Sequence, residues 1–347
     1  MLNSLRQYPQ TRLRRTRLHP WARRLVREHT LTVNDFIWPL FIVKGEQQRQ
    51  AITTMPGVYR LSIDVLVEEV KQAQALNIPA IALFPMIDQS LKDPQGSEAL
   101  DPNNLLCNAI KALRAANLDI GIICDVALDP YTDHGHDGVI INNEVDNDAT
   151  IEILCQQALI QAQAGCDIIA PSDMQDGRIG AIRQALDQHD LSNTMILSYA
   201  AKYCSNFYGP FREAVGSQAN LSKKTQNPLL GSKASYQQDI ANSEEALHEV
   251  ALDLNEGADL IMVKPGMPYL DIITKIKQTF KVPTFAYQVS GEYSMLQNLS
   301  QQDGQDFQKL MLETLISFKR AGADGIFTYA AKEIASFLQT TNGNKIY

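Results

Sequence analysis

The sequence predicts an α/β fold: eight parallel strands alternating with helices and closing into a TIM (β/α)8 barrel, preceded by an extended N-terminal arm. Three observations carry this. First, AGCDIIAPS (164–172), EGADLIMVK (256–264) and AGADGIFTY (321–329) all place Gly, a small residue and Asp ahead of an apolar run. Second, each follows a segment of helical period, at 149–164, 243–256 and 307–321. Gly just past a helix end takes the left-handed conformation cheaply, and a short β-rich run after it reads as a parallel strand buried on both faces. Third, the apolar runs number eight, which in a chain of 347 residues favours a closed barrel.

In chain order the runs are IWPLFIV (37–43), PAIALFP (79–85), DIGIICDVAL (119–128), CDIIAPS (166–172), TMILSYAAK (194–202), ADLIMVK (258–264), VPTFAYQVS (282–290) and ADGIFTYAA (323–331). Helical patterns separate them, for example DVLVEEVKQAQAL (64–76) and LLCNAIKALRAA (105–116). A doubly wound open sheet is the alternative, but no G-x-G-x-x-G follows the first run. No Pro/Gly/Ser linker divides the chain, so residues 36–347 read as one barrel domain and 1–35 as the arm.

The arm holds eight arginines within residues 1–27 (Arg6, Arg12, Arg14, Arg15, Arg17, Arg23, Arg24, Arg27) and no acid. It lacks the serines of a transit peptide and the apolar core of a secretion signal. Leu13, Leu18, Trp21, Leu25 and Val26 supply apolar anchors, so the arm is expected to dock on a neighbouring subunit rather than trail as a solvated tail. The chain as a whole is nevertheless acidic, with a net charge of −8, which argues against general nucleic-acid binding. No apolar run is long enough to span a membrane. Five cysteines (Cys107, Cys124, Cys155, Cys166, Cys204) without a C-x-x-C pair fit a reducing cytoplasm, each expected as a small buried hydrophobe.

Barrel chemistry sits at the carboxyl ends of the strands. Lys202 closes the fifth run and Lys264 the sixth. A lysine ending a buried strand is costly unless paired or functional. Two on neighbouring strands repel, and each is expected to favour losing a proton, which is what imine formation with a ketone requires. Pro265, Gly266 and Pro268 stiffen the turn after Lys264. The long connection 203–240 is expected to act as a lid, and Arg212, Lys223, Lys224 and Lys233 make it basic, suited to a carboxylate. Ser290 and Tyr329, at the ends of the seventh and eighth runs, offer hydroxyls to a second anion. Together these suggest two amino-ketone or keto-acid substrates held side by side.

VKPGMPYLDI (263–272), SYAAKY with FYGPFR (198–212), APSDMQDGRIGAIR (170–183) and AYQVSGEY (286–293) closely resemble porphobilinogen synthases, also called delta-aminolevulinic acid dehydratases. The resemblance runs from the arm through WPLFIVKG (38–45) to the last strand. It implies a barrel enzyme that condenses two molecules of 5-aminolevulinate into porphobilinogen with loss of two waters, and a homo-octamer whose arms embrace neighbours. By motif position, Lys264 resembles the lysine that forms the imine with the first, P-side substrate, and Lys202 the second lysine, beside the A-side substrate. Arg212, Lys233 and Gln237 match the residues on the A-side carboxylate, and Ser290 and Tyr329 those on the P-side carboxylate. Ser232 and Gln238 depart from the Asp and Met frequent in relatives.

DVALDPYTDHGHDG (125–138) is rich in metal-ligand residue types. Zinc-type members of the family carry three cysteines in this stretch, and the matching positions here are Ala127, Asp129 and Asp137. Zinc favours thiolate and imidazole sets, carboxylates suit hard cations, so no zinc is expected. A weak zinc option remains at His134 and His136. Asp129 and Asp137 are expected to tune the site as an acid cluster, with room for a monovalent cation, and Asp125 to help move protons. The resemblance further implies an activating Mg²⁺ away from the catalytic centre, at Glu249 of SEEALHEVALDL. Competing readings are a class I aldolase, which needs only one lysine and usually grips phosphate with Gly-rich loops, and an RNA-binding protein using the basic arm, which the acidic body opposes.

Overall fold

The computed structural model describes residues 7–217 and 231–340. All eight expected strands form: β1 (Phe36–Ile42), β2 (Ala80–Pro85), β3 (Gly121–Val126), β4 (Ile168–Pro171), β5 (Met195–Lys202), β6 (Leu260–Lys264), β7 (Thr284–Tyr287) and β8 (Gly325–Phe327). Each pairs in parallel with the next. β8 returns to β1, with Phe36 opposite Ile326 and Ile37 opposite Phe327, and the barrel closes. Around it run α1 (Ile63–Ala75), α2 (Leu105–Ala115), α3 (Asn147–Ala164), α4 (Arg178–Gln188), the short α5 (Gly209–Ala214), α6 (Glu244–Glu256), α7 (Leu270–Phe280), α8 (Ser290–Asp303), α9 (Phe307–Ala321) and α10 (Ala331–Thr340).

The repeated Gly-x-Asp phrase has a physical cause. Gly165, Gly257 and Gly322 end α3, α6 and α9 with φ of +110°, +107° and +109°, a conformation side chains resist. Two residues on, Asp167, Asp259 and Asp324 each accept, at 2.8 Å, the backbone N–H at the start of the preceding strand, from Ile122, Ile196 and Thr284. Their own N–H groups return a bond to the carbonyl of the same residue. Each phrase therefore turns a helix into a strand and clasps that strand to its neighbour.

Two strand pairs were not legible as apolar runs. Arg49–Ala51 and Tyr59–Leu61 form an antiparallel pair, and Tyr59–Leu61 also lies parallel to the end of β1. Both strands are short and mostly polar, and Arg49–Ala51 is fully exposed. Ile140–Ile141 and Glu144–Val145 make a second small hairpin after the acidic stretch. The apolar runs also overreach the strands. β7 stops at Tyr287 and β8 at Phe327, so Ser290 opens α8 and Tyr329 lies in the loop before α10, rather than ending strands. Cys107, Cys124 and Cys166 are buried as expected, whereas Cys155 and Cys204 are partly exposed.

A buried ion network holds the loop after β4. Arg178, 1% exposed, stands 3.5 Å from Asp173 and 3.3 Å from Asp253 of α6. Among the arm residues, Pro20–Leu25 are helical, and Leu13, Leu18, Trp21, Leu25 and Val26 all stay more than half exposed in the single chain. Among the described arm residues Leu31 is the first large side chain buried against the barrel, and Lys319 of α9 pairs with Asp35 at 2.8 Å.

Candidate active site

Lys202 and Lys264 end β5 and β6 and face each other in register, both with side chains almost wholly buried. Their surroundings differ. The Lys264 amine lies among four rings, 5.0 Å from the centroid of Tyr199, 5.4 Å from Tyr208, 5.1 Å from Phe211 and 4.7 Å from Tyr287. Burial first, and then the charge of Lys202, lower its pKa to about 7, although Asp125, Asp129 and Asp137 pull the other way. Lys202 instead donates to the carbonyl of Ser172 and has Asp137 Oδ1 at 3.8 Å. The expectation of two alike lysines therefore gives way to an unpaired amine in an aromatic cage and a lysine held by an acid and a carbonyl.

The acidic stretch lies at the mouth of the same barrel. Asp125, on β3, carries a buried Oδ1 without a hydrogen-bond partner. Burial pushes its carboxyl up to about 6, with Lys264 and Lys202 opposing. Asp129 and Asp137 share one cation: Lys233 Nζ stands 3.2 Å from Asp129 and 2.9 Å from Asp137. Burial would raise Asp137, but Lys202 and Lys233 outweigh it and hold this carboxyl well below the usual range. Asp129, with burial dominant and Asp137 beside it, is raised. Of a carboxylate pair sharing a cation, the one with two ammonium neighbours keeps its charge most firmly.

The connection after β5 is described on both sides of residues 218–230. Lys223 and Lys224 lie outside the described residues. α5 brings Phe211 to the cage and carries Arg212, whose guanidinium pairs with no carboxylate among the described residues. The returning chain docks beside β5: the Gln238 N–H donates to the carbonyl of Lys202 at 3.0 Å, and its side-chain amide to that of Ala200 at 3.2 Å. This places the buried Gln237, whose Oε1 lacks a partner, next to Lys233. Ser290 accepts the Phe211 N–H at 2.9 Å, and the Tyr329 hydroxyl lies 3.1 Å from that of Tyr287 in the cage. The two hydroxyls expected for one carboxylate thus converge on the Lys264 side.

Glu249 does not join this group. It lies on α6, part-buried, in a cavity of about 670 Å³ with Glu144, Asp176, Asp239 and Glu245, and Gln237 forms part of the same wall. Burial, then Asp253, raises its carboxyl. His134 and His136 do not present a ligand pair. His134 Nε2 meets the carbonyl of Pro94 at 3.2 Å and its Nδ1 accepts the His136 N–H, while His136 Nδ1 lies 3.1 Å from the Tyr236 hydroxyl. Among the described residues no group of three or more His, Cys, Asp or Glu is placed to hold a metal.

Reasoning from the sequence missed the cage tyrosines, Tyr236 and Arg178. Tyr199 and Tyr208 flank Lys202 in the SYAAKY and FYGPFR motifs, but only closure of the barrel sets them around the other lysine.

A family model for delta-aminolevulinic acid dehydratase matches residues 10–337. The chain belongs to the delta-aminolevulinic acid dehydratase family. The Bradyrhizobium diazoefficiens delta-aminolevulinic acid dehydratase is 54% identical, over 95% of this chain and 91% of its own length. That of Synechocystis is 48% identical, over 96% and 99%. The solved structure of the Toxoplasma gondii delta-aminolevulinic acid dehydratase, in complex with porphobilinogen, superposes with a TM-score of 0.91 at 43% identity, covering 97% of this chain and 94% of that one.

Proposed function

We propose that this chain is a lyase that condenses two molecules of 5-aminolevulinate into porphobilinogen, with loss of two waters, through lysine Schiff bases in tetrapyrrole (heme) biosynthesis. The observation that carries the reading is Lys264, a buried amine whose pKa of about 7 leaves a large neutral fraction at neutral pH. A neutral amine attacks the ketone carbon of the first substrate, and the ketone oxygen leaves as water when the imine forms. The second ketone oxygen leaves as the second water when the two substrates have joined by one carbon–carbon and one carbon–nitrogen bond, and the bond to Lys264 breaks as the ring forms, which returns the free amine. Lys202 stands on the side of the second substrate, where Arg212, Lys233 and Gln237 meet its carboxylate. Ser290 and Tyr329 hold the carboxylate of the first. Asp125, raised to about 6 by burial and lying near both lysines, is suited to carry protons between them.

For Mg²⁺, Glu249 fits as a single direct donor: its raised carboxyl, with Asp176 and Glu245 lining the same cavity, gains from a hard cation that keeps most of its waters. Bound there, it would supply positive charge beside Gln237 as an allosteric activator, not chemistry at the lysines. For zinc at Ala127, Asp129 and Asp137 the donors do not fit, with one alanine and two hard carboxylates committed to Lys233. A monovalent cation at that pair would compete with Lys233. The exposed apolar residues of the arm support assembly with further copies, as a homo-octamer, and the unbridged cysteines support a cytoplasmic enzyme. No helix among the described residues is long and apolar enough to cross a membrane.

The test is borohydride reduction in the presence of 5-aminolevulinate, followed by peptide mass mapping. The adduct is expected on Lys264, with Lys264→Ala giving neither adduct nor product. Adducts confined to surface lysines would overturn the assignment.

A further inference from the structure

Glu292, in the first turn of α8, is fully buried, and no part of the reading above uses it. Its Oε1 accepts the Met267 N–H at 2.5 Å, and its Oε2 accepts the Val289 N–H at 2.5 Å and the Gly266 N–H at 3.4 Å. No lysine, arginine or histidine faces it among the described residues, and burial pushes its carboxyl up to about 8 against the pull of the three N–H groups. A buried acid without a cation is an expensive way to satisfy backbone donors, so its position calls for an account.

The three donors belong to two segments. Gly266 and Met267 form the turn that begins two residues after Lys264, and Val289 immediately precedes Ser290. Neither segment has slack. A Cβ on Gly266 would collide with the Phe318 ring and stand 3.0 Å from the carbonyl of Tyr287, and one on Gly291 would stand 2.6 Å from that of Phe207. Among the described residues, the carboxyl of Glu292 is the side chain of α8 that accepts from both segments. Burial first, and Glu292 after it, also keep the Tyr329 hydroxyl in its protonated, donating form.

We propose that Glu292 is a positioning residue for the reaction: its two carboxyl oxygens clip the turn after Lys264 to the start of α8, and so set the span between the imine nitrogen and the Ser290 hydroxyl. The inference rests on the reading of Lys264 as imine former and Ser290 as a carboxylate contact of the same substrate. The hydrogen bond that Ser290 donates, to the carbonyl of Phe207, is long at 3.4 Å, so its proton can turn to a substrate.

The experiment compares Glu292→Gln, Ser290→Ala and the double variant in the full chain, reading the 5-aminolevulinate concentration that half-saturates borohydride trapping at Lys264, with thermal melting alongside. Gln keeps the shape but turns an amide N–H₂ toward a backbone donor. Each single variant is expected to raise half-saturation about tenfold, and the double variant no further than the worse single one, because both break the same span. Glu292→Gln should melt close to the parent. Unmoved half-saturation in Glu292→Gln, or two effects that multiply in the double variant, would overturn the proposal. Unmoved half-saturation in Ser290→Ala alone would overturn the reading of Ser290 instead. If Glu292→Gln does not fold, Glu292→Asp, which keeps the carboxyl group and withdraws it by one methylene, is read in the same way. Failure of both to fold would make Glu292 a structural staple and end the proposal.

Discussion

Two lysines in register on adjacent strands could share one fate, yet the side chains beside them divide the work. Asp137 at 3.8 Å and the Ser172 carbonyl hold Lys202, whereas the Lys264 amine sits among four rings and makes no ion pair among the described residues, so burial and the charge of Lys202 depress its pKa to about 7. Imine formation should therefore show an acid limb near pH 7, falling as the amine takes up a proton. Lys202→Met removes one of the two depressing causes, so the limb should move to higher pH, though burial keeps it below the ordinary lysine range. The pH profile of borohydride trapping measures this, and a limb that stays put or moves down would show that Lys202 does not act on Lys264. The same depression has a consequence for folding. Between pH about 7 and 10.5 the unfolded chain binds the proton that folded Lys264 has lost, so stability rises with pH across that window. Both lysines were legible in the sequence because a cation at the end of a buried run is rare on either reading. The cage around Lys264 was not, since Tyr199, Tyr208, Phe211 and Tyr287 come from three separate segments that meet only in the closed barrel.

Among the elements, those that repeat a physical device were the easiest to read. A helix-ending Gly, then an Asp that clasps the preceding strand, then an apolar run mark β4, β6 and β8 in the sequence, and the structure shows the clasp at 2.8 Å each time. The Arg49–Ala51 and Tyr59–Leu61 pair escaped because its strands have three residues each and too few apolar side chains to form a run. α6 was also legible, with its acidic first turn and Gly257 at its end, but not the depth at which Glu249 would lie. Its part-buried carboxyl, raised by burial and by Asp253, faces other acids across the cavity. A hard cation there relieves that repulsion. Treatment with a strong zinc chelator should therefore leave most activity once Mg²⁺ is restored, and Glu249→Ala should lose Mg²⁺ stimulation while borohydride still traps the imine on Lys264. A chelated enzyme that revives only with zinc would mean that His134 and His136 abandon the Pro94 carbonyl and the Tyr236 hydroxyl to bind it.

The whole molecule is an acidic barrel carrying a basic, apolar-studded arm, and these two parts make different demands on solvent. Leu13, Leu18, Trp21, Leu25 and Val26 are between 51% and 77% exposed, and five arginines (Arg14, Arg15, Arg17, Arg23 and Arg24) lie interspersed among them along the same 14 positions. Apolar side chains spaced along so short a segment make a poor tail and a good interface, since their burial against another surface is favourable by roughly 25 cal/mol per Å². The segment's positive charge complements a barrel whose chain as a whole carries −8, so a second copy of the same chain meets both requirements. Deleting residues 1–27 should then reduce the size of the assembly and the activity together, with Lys264, Lys202 and the acid cluster untouched in sequence. Size-exclusion chromatography with light scattering, run beside the activity assay, reads both. If the truncated chain keeps its elution volume and its full rate, the arm contributes nothing to assembly. If assembly falls while the rate per chain holds, each barrel works alone and the arm serves only association. The expected joint loss follows from the position of the arm's root: Leu31 and Asp35 anchor it directly ahead of β1, so a neighbour pulling on the arm bears on the strand whose end packs Phe41 against Tyr329, at 5.8 Å between ring centroids.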